Sequence, residues 1–217
     1  MRDRSLLYIS GAASAVYLLS RNWHASPGSA AVKGCAVGAL ALMAVQSRGV
    51  KRDAGILALG LALSTAGDLL LDLDPNLFVF GLGAFLLAHL TYVTLFVRNR
   101  ARPFHPGRPR CAAVLLVLAC AAALSAWIVP SVGGLAVPVV LYICALTAMV
   151  STAILARFDR PWVALGAVLF MISDSLLAID KFKAPVPVRD VLVWVTYYFG
   201  QCGIALGYLA GKRQAAA

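Results

Sequence analysis

The sequence is dominated by long apolar segments that follow one another with short polar gaps between them. Apolar residues make up 61% of the chain and charged residues 13%, whereas soluble domains are roughly 45–50% apolar. A segment of about 18 apolar residues can cross a bilayer as an α-helix, and lipid requires every backbone polar group to be paired internally. We therefore predict an all-α polytopic membrane protein, with residues 1–217 forming a single integral membrane domain.

The apolar segments predict eight transmembrane helices, bounded by Gly, Pro and charged residues. The predicted helices are, approximately, residues 5–20, 30–46, 54–71, 77–97, 111–129, 135–156, 162–179 and 191–211. The start of the chain, with Arg2 and Arg4 before an apolar run, is similar to a signal peptide. No small-residue cleavage site follows, so we expect this segment to be retained as the first helix.

The distribution of basic residues predicts the orientation of the helices. The net charge is +10, and no soluble module is present to carry a nucleic-acid surface, so we expect no nucleic-acid partner. Cytoplasmic loops of membrane proteins are enriched in Lys and Arg. With eight helices, fourteen of the 19 basic residues fall on the side of the two termini, which we therefore expect in the cytoplasm. The remaining five are Arg21, Lys33, Lys181, Lys183 and Arg189. Lys33 lies close enough to a helix end to extend to the interface.

Two short acidic motifs interrupt the apolar segments. Residues 67–71 have the sequence GDLLL and residues 173–177 have the sequence SDSLL, so a small residue precedes the Asp in both. A carboxyl group at membrane depth is costly and indicates a functional site by default. Because ordinary helix packing does not require such a group, Asp68 and Asp174 are the candidate catalytic residues.

The spacing of these motifs suggests an internal duplication. Asp68 and Asp174 are 106 residues apart, and the same offset relates Tyr92 to Tyr198. Four helices return a chain to the side on which it started. The pattern is therefore compatible with a parallel 4+4 duplication, although the matching segments are short and a chance similarity stays open.

Other polar residues lie at similar depths on the predicted helices. At a rise of about 1.5 Å per residue, Asp68 lies about 21 Å and Asp174 about 18 Å from the cytoplasmic end of its helix. Residues three or four apart share a helix face, and small residues let helices approach closely. We therefore expect a set of substrate-binding or supporting residues to converge with the two acids: Asp72, His89, Tyr92, Ser173, Tyr197, Tyr198 and Gln201.

Each of these supporting residues also has a structural interpretation. His89 alone could form an interhelical hydrogen bond, and the tyrosines could serve in packing or at the membrane interface. Asp72, Asp74 and Asp180 lie at helix ends, where solvated caps are common. A zinc site is compatible with Asp and His ligands, but the chain has no Glu-x-x-His motif or close cysteine pair, so we predict neither metal nor cofactor. The five cysteines are expected to be small buried apolar residues.

The order and spacing of these residues resemble the YhhN family of small bacterial membrane proteins, which includes the animal lysoplasmalogenases. Four segments carry the resemblance: Gly67, Asp68 and Leu71; Gly81, Phe85, His89 and Tyr92; Phe170, Ser173, Asp174 and Leu177; and Tyr197 with Gln201. The length and the eight-helix layout also agree. The resemblance implies a protein of a bacterial inner membrane that hydrolyses the vinyl ether bond of lysoplasmalogens, a class of lysophospholipid, to a fatty aldehyde and a glycerophospho-base.

The two acids suit this chemistry. Cleavage of a vinyl ether begins with protonation of the alkene carbon, which requires an acid, and the resulting oxocarbenium ion requires a nearby anion and one water molecule. Two carboxyl groups in different environments can provide both, as in glycosidases, and a low dielectric favours a neutral acid. Two alternatives stay open: a proton-coupled transporter, since intramembrane Asp and His also build proton relays, and a non-catalytic lipid-binding protein. The oligomeric state is not determined by the sequence.

Overall fold

The computed structural model describes residues 2–20, 27–47, 49, 51–100 and 104–211. Within these ranges the chain forms eight α-helices and no β-strand, which confirms the predicted all-α architecture. The helices are α1 (Arg2–Leu19), α2 (Pro27–Gln46), α3 (Ala54–Leu73), α4 (Phe78–Arg98), α5 (Arg108–Ile128), α6 (Ala136–Leu155), α7 (Trp162–Phe182) and α8 (Arg189–Leu209). Short 3₁₀ turns cover Pro75–Leu77, Val129–Ser131 and Gly133–Leu135.

The helices have the length and composition of membrane spans. In the described part of the chain, seven helical segments, one for each of α2 to α8, are long and apolar enough to cross a bilayer. The first helix contributes a shorter apolar stretch, Arg4–Leu19. The protein is therefore a polytopic all-α membrane protein. Several of the basic residues that predict its orientation lie outside the described residues: Arg21, Arg48, Arg102, Lys212 and Arg213.

The chain divides into two compact units. One consists of Met1–Leu95 and Ala205–Ala217, and the other of Phe96–Ile204. Both boundaries fall inside helices, so α4 and α8 each contribute residues to both units. We refer to these as the first and second units.

The internal duplication stays a prediction, and so does the single integral domain.

Glycines let α3 pack closely against α2 and α4 in the first unit. A Cβ atom added to Gly67 would lie 2.6 Å from Cδ2 of Phe85, and one added to Gly60 would lie 2.6 Å from Cε1 of Tyr92. Real Cβ atoms do not approach other atoms this closely, so both aromatic rings occupy space that only glycine leaves open. On the α2 side, a Cβ atom added to Gly34 would lie 3.0 Å from Cδ2 of Leu69 in α3. The Ser10 hydroxyl of α1 also donates to the Ala36 carbonyl of α2 at 2.6 Å.

The second unit is held together by a similar glycine contact and by an apolar cluster. A Cβ atom on Gly166 of α7 would lie 2.6 Å from both the Gly200 carbonyl oxygen and the Ile204 backbone nitrogen of α8. The two helix backbones therefore touch at this point. Near the α5–α6 turn, the buried side chains of Ile128 and Val139 form an apolar cluster that also contacts Ile179 of α7.

Polar residues close the turns in both units. The Asp74 carboxylate accepts a hydrogen bond from the Asn76 backbone N–H at 2.8 Å. In the second unit, Asp180 accepts from the Val186 backbone N–H at 3.0 Å and pairs with the Arg189 guanidinium at 3.1 Å. Asp74 and Asp180 thus have the capping role that helix-end carboxylates commonly have.

Candidate functional site

Asp68 lies in the buried face of α3, five residues before the helix ends at Leu73. Its side chain is only 2% exposed. The Lys33 ammonium of α2 lies 3.4 Å from Asp68 Oδ1. Among the described residues of the first unit, the most buried carboxyl group therefore has a cation beside it.

Lys33 also binds Asp72, one turn beyond Asp68 on the same face of α3. Its Nζ atom donates to Asp72 Oδ1 at 2.9 Å, and the Tyr17 hydroxyl of α1 lies 3.4 Å from Asp72 Oδ2. The ammonium also lies 5.6 Å from the centre of the Tyr17 ring. Lys33 thus binds two carboxyl groups of the facing helix, and its extension to the membrane interface stays a prediction. Asp72 is likewise bound within the unit and is not a solvated cap.

The two predicted residues of α4 are buried in the first unit. His89 and Tyr92 are both 0% exposed, as expected for residues three apart on one helix face. The Tyr92 ring lies against Gly60 of α3, in the space that a side chain at position 60 would occupy. The buried imidazole and phenol bring two polar groups into the apolar interior of this unit.

Asp174 occupies the corresponding motif of α7 but has a different partner. The Tyr142 hydroxyl of α6 donates to Asp174 Oδ2 at 2.6 Å, and the Asp174 side chain is partly buried. The preceding Ser173 donates its hydroxyl proton to the Val193 carbonyl of α8 at 2.9 Å. Ser173 therefore links α7 to α8 beside the acid, a structural role compatible with its small size.

The predicted residues of α8 belong to a buried aromatic group in the second unit. Tyr197 packs edge-on against Phe170 of α7 with ring centres 5.1 Å apart, and Tyr198 stacks with Trp194 at 5.8 Å. Gln201, one turn after Tyr197, is fully buried. The structure thus joins Asp68 with Asp72 in the first unit, and it brings Tyr197 against the helix that carries Ser173 and Asp174 in the second.

Three residues that contact Asp68, Asp72 or Asp174 were not among the sequence candidates: Tyr17, Lys33 and Tyr142. Lys33 had a usable signal, because a lysine six residues inside an apolar helix is rare unless a carboxylate faces it. Tyr142 follows Lys33 by 109 residues, close to the offset between the acidic motifs. Among the described residues no group of three His, Cys or Asp side chains is arranged to hold a metal ion. The prediction of buried cysteines is wrong: four of the five lie on exposed faces of apolar helices and Cys202 is half-buried.

Comparison with known proteins places the chain in a family. The sequence profile of the YhhN family matches residues 28–208. The chain belongs to the YhhN family. The matched range contains Lys33, both acidic motifs and every polar residue of α4 and α8 described above, so these features lie in the family's shared part.

Curated relatives come from bacteria and animals. A Mycobacterium tuberculosis protein named lysoplasmalogenase is 40% identical over 168 residues, which is 76% of this chain and 64% of the relative. The human lysoplasmalogenases TMEM86B and TMEM86A are 34% and 32% identical, over 69% and 71% of this chain and 61% and 65% of their own lengths. The matches thus span less than two thirds of these relatives. No solved structure matches the chain.

The acids of this YhhN protein have electrostatically different surroundings. Asp68 is next to an ammonium group, which stabilises a carboxylate, whereas the hydroxyl bonded to Asp174 is neutral and can bond either an ionised or a protonated carboxyl group. General acid–base chemistry needs one group that carries a proton and one that accepts it. The chain provides both kinds of environment within its apolar helices.

Proposed function

We propose that this YhhN protein is an intramembrane hydrolase that cleaves the vinyl ether bond of lysoplasmalogen-type lysophospholipids, with Asp68 and Asp174 as its acid–base residues. The observation that carries the proposal is that its relatives are named lysoplasmalogenases, together with an Asp in each of two apolar helices. The products are a fatty aldehyde and a glycerophospho-base. The reaction requires water and no cofactor.

The chemistry requires one acid, one anion and one water molecule. The acid transfers its proton to the alkene carbon that is not bonded to oxygen, so a C–H bond forms, the double bond is lost and an oxocarbenium ion results. Water then adds to the carbon bonded to oxygen and gives its proton to the anion. The hemiacetal gives its hydroxyl proton to the carboxylate left by the acid, the C–O bond to glycerol breaks, and the glycerol oxygen takes the proton that the anion received from water. Both carboxyl groups regain their starting states.

The location of the acids fits a lipid substrate. The vinyl ether bond of such a lipid lies just below its headgroup, inside the apolar region, and the acids lie within apolar helices. The buried groups His89, Tyr92, Tyr197, Tyr198 and Gln201 are candidates for orienting water or binding the glycerol and phosphate. We propose a location in a bacterial cell membrane with both termini in the cytoplasm, supported by the distribution of Lys and Arg.

The test is the substrate range of the purified protein. It should release aldehyde from a 1-alkenyl lysophospholipid and leave the 1-alkyl analogue intact, because protonation of a saturated ether cannot form an oxocarbenium ion. A 1-acyl analogue should yield little fatty acid, since ester cleavage needs a nucleophile and an oxyanion hole and the sequence has no Gly-x-Ser-x-Gly motif. Rapid ester cleavage without aldehyde would contradict the proposal.

Matched variants test the role of the acids. Asp68→Asn and Asp174→Asn nearly preserve side-chain shape and remove the ionisable group, so each should abolish aldehyde release while the protein still inserts and folds. Asp74→Asn is the control, because the Asp74 side chain caps a turn and its carbonyl oxygen can be replaced by that of Asn. Full activity of either of the first two variants would remove that residue from the mechanism.

A further inference from the structure

The Lys33 ammonium is the central group of a polar network in the first unit. It bonds Asp72 at 2.9 Å and lies 3.4 Å from Asp68. On the other side of Asp72, the Tyr17 hydroxyl lies 3.4 Å from its second oxygen. Among the described contacts of Lys33 with the helices packed on α2 are those with one phenol of α1 and two carboxyl groups of α3.

Because Asp68 and Lys33 are both buried, the Lys33 ammonium determines whether Asp68 is ionised. Asp68 is 2% exposed and Lys33 is 13% exposed, so water can solvate neither group well. An isolated carboxylate in such a place would take up a proton, whereas a paired one stays ionised. Asp72 provides a second anchor, which fixes the ammonium in its position beside Asp68.

We propose that Lys33 is a positioning residue that keeps Asp68 ionised, so that Asp68 is the anion and water-activating base of the reaction and Asp174 is the acid. The assignment rests on the proposed hydrolase function for its chemical meaning. An ionised Asp68 cannot protonate the alkene, so the first proton has to come from the other motif. The neutral Tyr142 hydroxyl donates to one oxygen of Asp174, and such a bond is compatible with a protonated carboxyl group.

Infrared spectroscopy of the resting protein tests the two charge states directly. A protonated carboxyl group has a C=O stretching band that is separate from carboxylate bands and shifts in heavy water. We expect Asp174→Asn to remove such a band from the wild-type spectrum and Asp68→Asn to remove none. Loss of a band in Asp68→Asn with none lost in Asp174→Asn would overturn the assignment, and so would no loss in either variant.

Lys33→Met tests the positioning role, because it removes the ammonium and keeps the length of the side chain. We expect a new protonated-carboxyl band in Lys33→Met and its absence from Lys33→Met/Asp68→Asn. A new band that persists in Lys33→Met/Asp68→Asn and disappears in Lys33→Met/Asp72→Asn would show that Lys33 controls Asp72 instead. That result would overturn the proposed role of Lys33, as would the absence of any new band.

Kinetics provides the second measurement. Lys33→Met should lower kcat by about 10²-fold, the usual effect of losing one preorganised electrostatic group, with little change in KM. Lys33→Arg keeps the positive charge and should recover most of kcat. The control is Lys181→Met, which removes an exposed lysine at the end of α7. A loss confined to KM would overturn the positioning role.

The infrared and kinetic results separate this inference from the hydrolase proposal. If wild-type protein releases no aldehyde while the bands behave as expected, the hydrolase function fails and the charge assignment of Asp68 and Asp174 is retained. If aldehyde is released and the bands are reversed, the hydrolase function is retained and the assignment fails. The spectra of wild type and of the two Asp variants require no Lys33 variant to fold.

Discussion

Replacing Gly166 by Ala tests whether α7 and α8 are in backbone contact. The added Cβ atom would lie 2.6 Å from the Gly200 carbonyl oxygen and from the Ile204 nitrogen. Both are backbone atoms, so no side-chain rotation can relieve the overlap. The two helices have to separate by about 1 Å before the new atom reaches an ordinary contact distance of about 3.5 Å.

The expected loss of stability in Gly166→Ala is the sum of two opposing contributions. Overpacking of a tight contact typically costs about 1–3 kcal/mol, whereas Ala in place of Gly stabilises a helix by about 1 kcal/mol. Gly11→Ala in α1 is the matched control, because a Cβ atom there meets nothing within 4 Å. Both variants gain the same helix propensity from the change of Gly to Ala. Gly166→Ala should therefore be less stable than Gly11→Ala by the cost of overpacking, about 1–3 kcal/mol.

Reversible unfolding in mixed detergent micelles, followed by the loss of tertiary structure, measures this difference. The same shift of α7 moves Asp174, which lies two turns further along the helix, so kcat for aldehyde release should also fall. A displacement of about 1 Å can cost up to about 10²-fold in rate. Equal stabilities for the two variants would refute the close contact between α7 and α8 on which this reasoning depends.

Two further predictions concern the second acid and the orientation. Tyr142→Phe removes the hydroxyl that donates to Asp174, so kcat should fall roughly 2–10-fold, the equivalent of a hydrogen bond of about 0.5–1.5 kcal/mol. The matched control is Tyr8→Phe, at an exposed tyrosine of α1, and an equal effect in both would contradict this role of Tyr142. A reporter fused after the last residue should behave as cytoplasmic, and one inserted at residues 74–76 as external; the reverse result would contradict the charge-based orientation.

The sequence predicts the helices well because the signal is local. Each helix corresponds to one apolar run, and the acidic motifs are visible as carboxyl groups inside such runs. The small residue before each Asp also has the expected effect, since Gly67 admits the Phe85 ring and Ser173 bonds the backbone of α8. The helices and the acidic motifs depend on neighbours within a few positions along the chain, whereas the contacts of Gly67 and Ser173 join different helices.

The partners of the acids were not predicted, because they are set by contacts between helices. Lys33 is 39 residues from Asp72, and Tyr142 is 32 residues from Asp174. A rotation of α2 by half a turn would preserve its apolar character and direct Lys33 away from α3. The boundaries of the two units could not be predicted from the sequence either, because they fall inside α4 and α8 at residues with no distinctive local pattern.

The sequence by itself thus determined that the chain is a polytopic α-helical membrane protein and that two of its apolar segments contain an acidic motif. The length of the apolar segments determines that they cross the membrane as helices, because lipid tolerates no unpaired backbone N–H or C=O groups. Only the tertiary structure decided that Asp68 has an ammonium partner and Asp174 a phenol. That difference depends on which faces of neighbouring helices meet, and in a low-dielectric interior the charge of a carboxyl group depends on the groups within a few ångströms of it.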